Sequence, residues 1–169
     1  MKNPVEQLSS HLASAGRTIS LAESVTGGML SAALTSMPGI SSFFRGAVVA
    51  YSSIAKQEIL GVSAKTIAAF GEVSHEVAEE MAAGVSKIMR TDTAIATTGL
   101  AGPGGDGSEN PVGLCFMAVF VDGRTSVRRS IYSGGRDAVR QSCAADAILF
   151  CNEMLADILK VKRKPNGNP

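Results

Sequence analysis

The sequence predicts an α/β protein, a three-layer α/β/α domain on a mixed sheet of about five strands. Three observations carry that expectation. Short β-forming runs are separated by stretches with apolar residues three and four apart, the pattern of strands alternating with helices. Asp122-Gly123 joins two longer β-rich runs, which adds an antiparallel hairpin to strands otherwise separated by helices. The length, 169 residues, suits a single compact core.

Taken in order, Val5, Leu8, Leu12 and Ala15 mark one face of a first helix over 4–15. Residues 17–22 alternate polar with apolar and read as a strand, which passes through Thr26-Gly27-Gly28 into a helix ending near Pro38-Gly39. A second strand over 47–50, flanked by Tyr51, is continuously apolar and therefore expected to be buried. A short helix over 54–60 closes at Gly61. Ser74 is placed to cap a helix running to about Met89, with Glu76 and Glu79 where the helix dipole favours negative charge. Residues 93–97 form a third strand, 112–121 and 125–132 the hairpin, and 137–159 a last helix. One domain over 1–160 is expected, followed by a polar, disordered tail over 161–169.

Composition excludes several classes. With 45% hydrophobic and 18% charged residues and no apolar run near the roughly 20 residues of a spanning helix, the chain reads as soluble, with no membrane partner. Nothing at the N-terminus resembles a secretory signal, so the cytoplasm is the expected compartment. A formal net charge of +1, no tryptophan and two tyrosines do not suit a nucleic-acid binder. Cys115, Cys143 and Cys151 lack metal-ligand spacing and fall in apolar stretches, and two histidines make a poor basis for a zinc site; neither metal nor cofactor is expected.

Three polar clusters follow strand ends. In Glu23-Ser24-Val25-Thr26-Gly27-Gly28, Ser24 is a candidate nucleophile, and the backbone N–H groups at Thr26, Gly27 and Gly28 could receive an oxyanion; alternatively Ser24 or Thr26 simply caps the helix. In Tyr51-Ser52-Ser53 with Lys56, the lysine is the candidate base for a serine that has no histidine nearby, or else an ordinary surface lysine. The third is the glycine-rich loop over 97–107. It holds Gly102, Gly104 and Gly107 in a G-x-G-x-x-G spacing but leads through Pro111 into a strand, so it is not a dinucleotide-binding fingerprint. Its length and small residues suit close backbone approach to a ligand. Arg136 and Arg140, one helical turn apart, could together hold a phosphate, or be solvated arginines beside Asp137.

The clusters acquire meaning together. A-E-S-V-T-G-G (22–28), Y-S-S-I-A-K (51–56), G-E-V-S (71–74), T-G-L-A-G-P-G-G (98–105), P-V-G (111–113) and G-G-R-D-A-V-R (134–140) occur in this order. Over nearly its whole length the chain resembles the CinA C-terminal-domain family, which includes stand-alone nicotinamide-nucleotide amidases. The resemblance implies an amidohydrolase that converts nicotinamide mononucleotide to nicotinic acid mononucleotide and ammonia without a cofactor, usually as a homo-oligomer. It implies Ser24 as nucleophile, Lys56 as general base and Tyr51 sharing in proton transfer. The nucleotide would be met by Thr26, Gly27, Gly28, Thr98, Gly99, Ala101, Gly102 and Gly104, and its phosphate by Arg136 or Arg140. The family usually has cysteine at Val25, often asparagine at Ser53 and often lysine at Asn110. Those departures define the alternative, an inactive paralogue acting as a nucleotide-binding or interaction module.

Overall fold

The computed structural model describes residues 3–163, with side chains as far as Lys160. The strands are β1 (Ile19–Glu23), β2 (Phe44–Val49), β3 (Thr93–Gly99), β4 (Leu114–Val121) and β5 (Arg124–Ile131). The helices are α1 (Pro4–Ala15), α2 (Met29–Thr35), α3 (Ser53–Glu58), α4 (Ala64–Phe70), α5 (His75–Met89) and α6 (Arg136–Arg163), with a 3-10 turn over Ile40–Ser42. The strands form one sheet in the order β2-β1-β3-β4-β5. β1 runs parallel to β2 and β3, and β3-β4 and β4-β5 are antiparallel. This is the three-layer α/β/α arrangement with a mixed five-stranded sheet.

The two faces of the sheet are built differently. Leu21, Ile95 and Val119 belong to an apolar cluster shared with α1, α2 and α6. On the other face Ala22, Ala96 and Ala118 stand in register across β1, β3 and β4, and with Ala94 lie in the cluster of Val77, Met81 and Val85 from α5. Small side chains under α5 let the helix sit close to the strands, while larger ones fill the space beneath two helices and the end of a third.

Several expectations hold locally for physical reasons that are visible. Asn3 caps α1 by accepting the Val5 N–H at 2.9 Å, Pro4 occupies its first position, and Gly16 ends it at φ 65°. Ser74 caps α5 through the Val77 N–H. Asp122 and Gly123 both adopt positive φ, 51° and 81°, which closes the β4-β5 hairpin.

Others are corrected. The second strand is not buried; β2 lies at the sheet's edge, and Val49 at its end is 49% exposed. The first strand, expected to alternate, is buried throughout because it sits between two neighbours and beneath helices on both faces. Helix α4 was not expected; none of its residues is fully buried, and Ile67 is the one that packs against the α5-side cluster. β3 extends two residues further than expected, taking Thr98 and Gly99 into register with Phe116 and Cys115. α6 includes 161–163, the first part of the segment expected as a tail; 164–169 lie outside the described residues. No helix among the described residues is long and apolar enough to cross a membrane.

Candidate active site

The parallel pairing of β1 with β2 and β3 decides where the chemistry gathers. Glu23 is in register with Val49 and Thr97, so the chain leaves all three strands at the same edge of the sheet. Ser24 follows β1, Tyr51 follows β2, and the glycine loop follows β3. A cavity of about 660 Å³ opens there, lined by Ser24, Tyr51, Lys56, Glu72, Thr98 and Arg136 among others, a size typical of small-ligand sites. Gly99, Ala101, Gly102 and Gly104 also line it, whereas Thr26, Gly27, Gly28 and Arg140 do not.

The Ser24 turn is fixed from below by a buried carboxylate. Glu23 is fully buried, and its oxygens accept from the N–H groups of Gly28, Leu30 and Ser31 at 2.8, 3.1 and 2.8 Å and from the hydroxyls of Thr26 and Ser31. It thus fills the N-terminus of α2, where unpaired N–H groups and the helix dipole favour negative charge. Neither Ser24 nor Thr26 caps that helix. Gly28, at φ 100°, makes the backbone reversal that brings its N–H back to Glu23. From α6, Arg140 donates through Nε to the Val25 carbonyl at 3.2 Å and through Nη2 to the Thr26 carbonyl at 3.0 Å. Its guanidinium is therefore engaged with the turn and with Asp137 and is not among the residues lining the cavity.

These bonds also sort the backbone donors. The Gly27 N–H donates to the Ser24 carbonyl at 3.1 Å, and the Gly28 N–H to Glu23. Among the described residues the N–H groups of Val25 and Thr26 have no acceptor, although both residues are buried. Buried backbone donors are almost always paired, so the Val25 N–H, which lines the cavity, stands out as a place for a ligand oxygen.

Lys56 comes from α3, whose N-cap Ser52 accepts the Ala55 N–H at 3.2 Å. Its side chain is 3% exposed, and Nζ donates to Glu72 Oε2 at 2.9 Å. Glu72 lies between α4 and α5, and its carbonyl accepts from Thr98 Oγ1 at 2.8 Å. Arg136 donates through Nη1 to the Gly102 carbonyl at 2.7 Å and through Nη2 to the Tyr51 hydroxyl, which ties the glycine loop to the end of β2. Asp106, also on the cavity, is held below the usual carboxyl range by the Ser108 hydroxyl and N–H, and is anionic at neutral pH.

The structure thus brings Ser24, Lys56, Tyr51, Thr98, Arg136 and part of the glycine loop to one cavity and sends Arg140 beneath the Ser24 turn. Of the three departures from the family pattern, Val25 is buried in the cluster under α6, Ser53 begins α3, and Asn110 donates to the Val73 carbonyl at 3.3 Å. Two carboxylates were missed. Glu23 had a signal, an acid a few residues before a helix start; Glu72 stood in the G-E-V-S motif, but its contact with Lys56, 16 residues earlier, had no local mark.

The model of the CinA C-terminal domain matches residues 1–155. A CinA-like protein of Mycolicibacterium gilvum is 50% identical over 143 residues, covering 84% of this chain and 34% of that protein. One of Kosmotoga olearia is 40% identical over 144 residues, covering 85% and 35%. The chain therefore spans about a third of the length of these relatives. Among solved structures, a CinA superfamily protein of Klebsiella pneumoniae superposes with TM-score 0.88 at 32% identity, covering 92% of this chain and 99% of that one. A competence/damage inducible protein of Agrobacterium tumefaciens superposes with TM-score 0.81 at 34% identity, covering 94% and 98%. By its sequence, its fold and the order of its motifs, the chain belongs to the CinA C-terminal-domain family.

Proposed function

We propose that this chain is a serine amidohydrolase that deamidates nicotinamide mononucleotide to nicotinic acid mononucleotide and ammonia. The observation that carries the reading is that Ser24 and Lys56, brought from different strand ends, line one cavity of mononucleotide size. Ser24 Oγ attacks the carboxamide carbon while the Lys56 amine takes the hydroxyl proton. The oxyanion is received by the N–H of Val25, which lines the cavity and has no other acceptor among the described residues. Lys56 then returns the proton to the departing nitrogen, ammonia leaves, and water hydrolyses the acyl-enzyme by the same route.

The glycine loop admits the ligand close to backbone, and Arg136 meets the phosphate. Arg136 suits that role because its two hydrogen bonds leave three guanidinium protons available. Arg140 serves the Ser24 turn instead. Purified protein given nicotinamide mononucleotide should release ammonia, and Ser24→Ala should reduce the rate at least about a thousandfold while retaining binding by calorimetry. Binding by both proteins with no turnover by wild type would establish the nucleotide-binding module in place of the enzyme.

A further inference from the structure

We propose that Glu72 is the positioning residue for Lys56: it directs the lysine amine through one hydrogen bond and governs turnover through that amine without touching the substrate. The proposal rests on the Ser24 and Lys56 amidase reading. Lys56 reaches the cavity on four methylenes, and Glu72 Oε2, at 2.9 Å, is the one hydrogen-bond acceptor for its Nζ among the described residues. A lysine amine is a point charge on a flexible stem, so a single partner determines where a buried one is aimed. Misplacement of a reacting group by about 1 Å costs on the order of a hundredfold in rate.

Glu72 can do this because its own backbone is pinned while its carboxylate faces the cavity. The side chain is 41% exposed. Thr98 Oγ1, from the fully buried end of β3, donates to the Glu72 carbonyl at 2.8 Å. On either side, Ser74 Oγ donates to the Gly71 carbonyl at 2.9 Å and Asn110 Nδ2 to the Val73 carbonyl at 3.3 Å. Thr98 near the end of β3 and Asn110 beyond the glycine loop thus grip the segment that carries Glu72, and Glu72 holds Lys56. Asn110 belongs to this grip, which gives the residue at that position a task other than supplying a cation to the ligand.

Steady-state ammonia release from nicotinamide mononucleotide tests the inference with wild type, Glu72→Ala and Glu72→Gln. Glutamine keeps an oxygen that accepts from the amine, so it should retain kcat within about threefold. Alanine should lower kcat about 10- to 100-fold with KM changed less than about twofold, the pattern of a lost transition-state alignment. The proposal is overturned if alanine leaves kcat unchanged, if KM moves in place of kcat, or if glutamine is as poor as alanine. A silent wild type would remove the amidase reading and the proposal with it, whereas an active wild type with any of those three outcomes removes the proposal alone.

Discussion

Around Ser24 the chain is gripped from two directions, by the Glu23 carboxylate under α2 and by the Arg140 guanidinium from α6, whereas Lys56 across the cavity hangs from a six-residue helix and a single contact to Glu72. Ser24 is held by groups that also hold the fold together: the Glu23 oxygens satisfy the start of a helix, and α6 covers the larger apolar cluster. Lys56 is held by a carboxylate nearly half exposed to solvent. Loss of the Glu23 carboxylate should therefore cost stability, and loss of the Glu72 carboxylate should cost rate. A site divided this way can vary its base side without losing its fold.

The largest effect should follow from Glu23→Ala, which leaves three backbone donors and the Thr26 hydroxyl without their carboxylate. Buried donors left unpaired cost about 1 to 3 kcal/mol each, so denaturant unfolding should show a loss of at least about 3 kcal/mol. The three cysteines provide a second measurement. All are buried; hydrogen bonding to Cys115, with burial, pushes the Cys143 thiol up, and burial pushes Cys151 up to about 12. Thiolate is the reactive form, so in wild type and in Glu72→Ala none should react readily with a thiol reagent at neutral pH. In Glu23→Ala they should, because all three lie in the cluster under α6 that the Ser24 turn joins through Val25. Equal protection in both variants would erase the distinction between the two sides.

A smaller effect should come from the arginines. Arg140→Ala releases the carbonyls of Val25 and Thr26 and should lower kcat about tenfold or more with KM little changed, since it disturbs the turn and not the ligand. Arg136→Ala should instead raise KM for the mononucleotide. If Arg140→Ala raised KM alone, that guanidinium would be a phosphate ligand and the Ser24 turn would be held from one side only. The smallest change should be Ser52→Ala, which removes the cap of α3 and should lower stability by about 1 kcal/mol in thermal unfolding. Because α3 carries Lys56, a measurable drop in rate should accompany it.

How much of this was legible in the sequence depends on whether the signal is local. Strand order along the chain, the Asp122-Gly123 hairpin, the Ser74 cap and the placing of Ser24, Tyr51 and the glycine loop after strands follow from periodicity, turn chemistry and motif order, all carried within a few neighbouring residues. Helix α4 had only a weak signal because Ile67 alone packs against the core, and β2 read as buried because an apolar run reads the same at an edge. The roles of the two arginines had no local mark either: Arg136 and Arg140 sit one turn apart, yet one reaches the glycine loop and Tyr51 and the other the underside of the Ser24 turn. The sequence by itself determined the α/β fold class, the family and which side chains could do chemistry. Only the tertiary structure decided that Glu23 fills the helix start where an oxyanion was expected, that Glu72 meets Lys56, and that Arg140 binds the carbonyls of the Ser24 turn. Those three contacts depend on where side chains point once the layers are packed, and hydrogen bonds across packed elements leave no period in a linear chain.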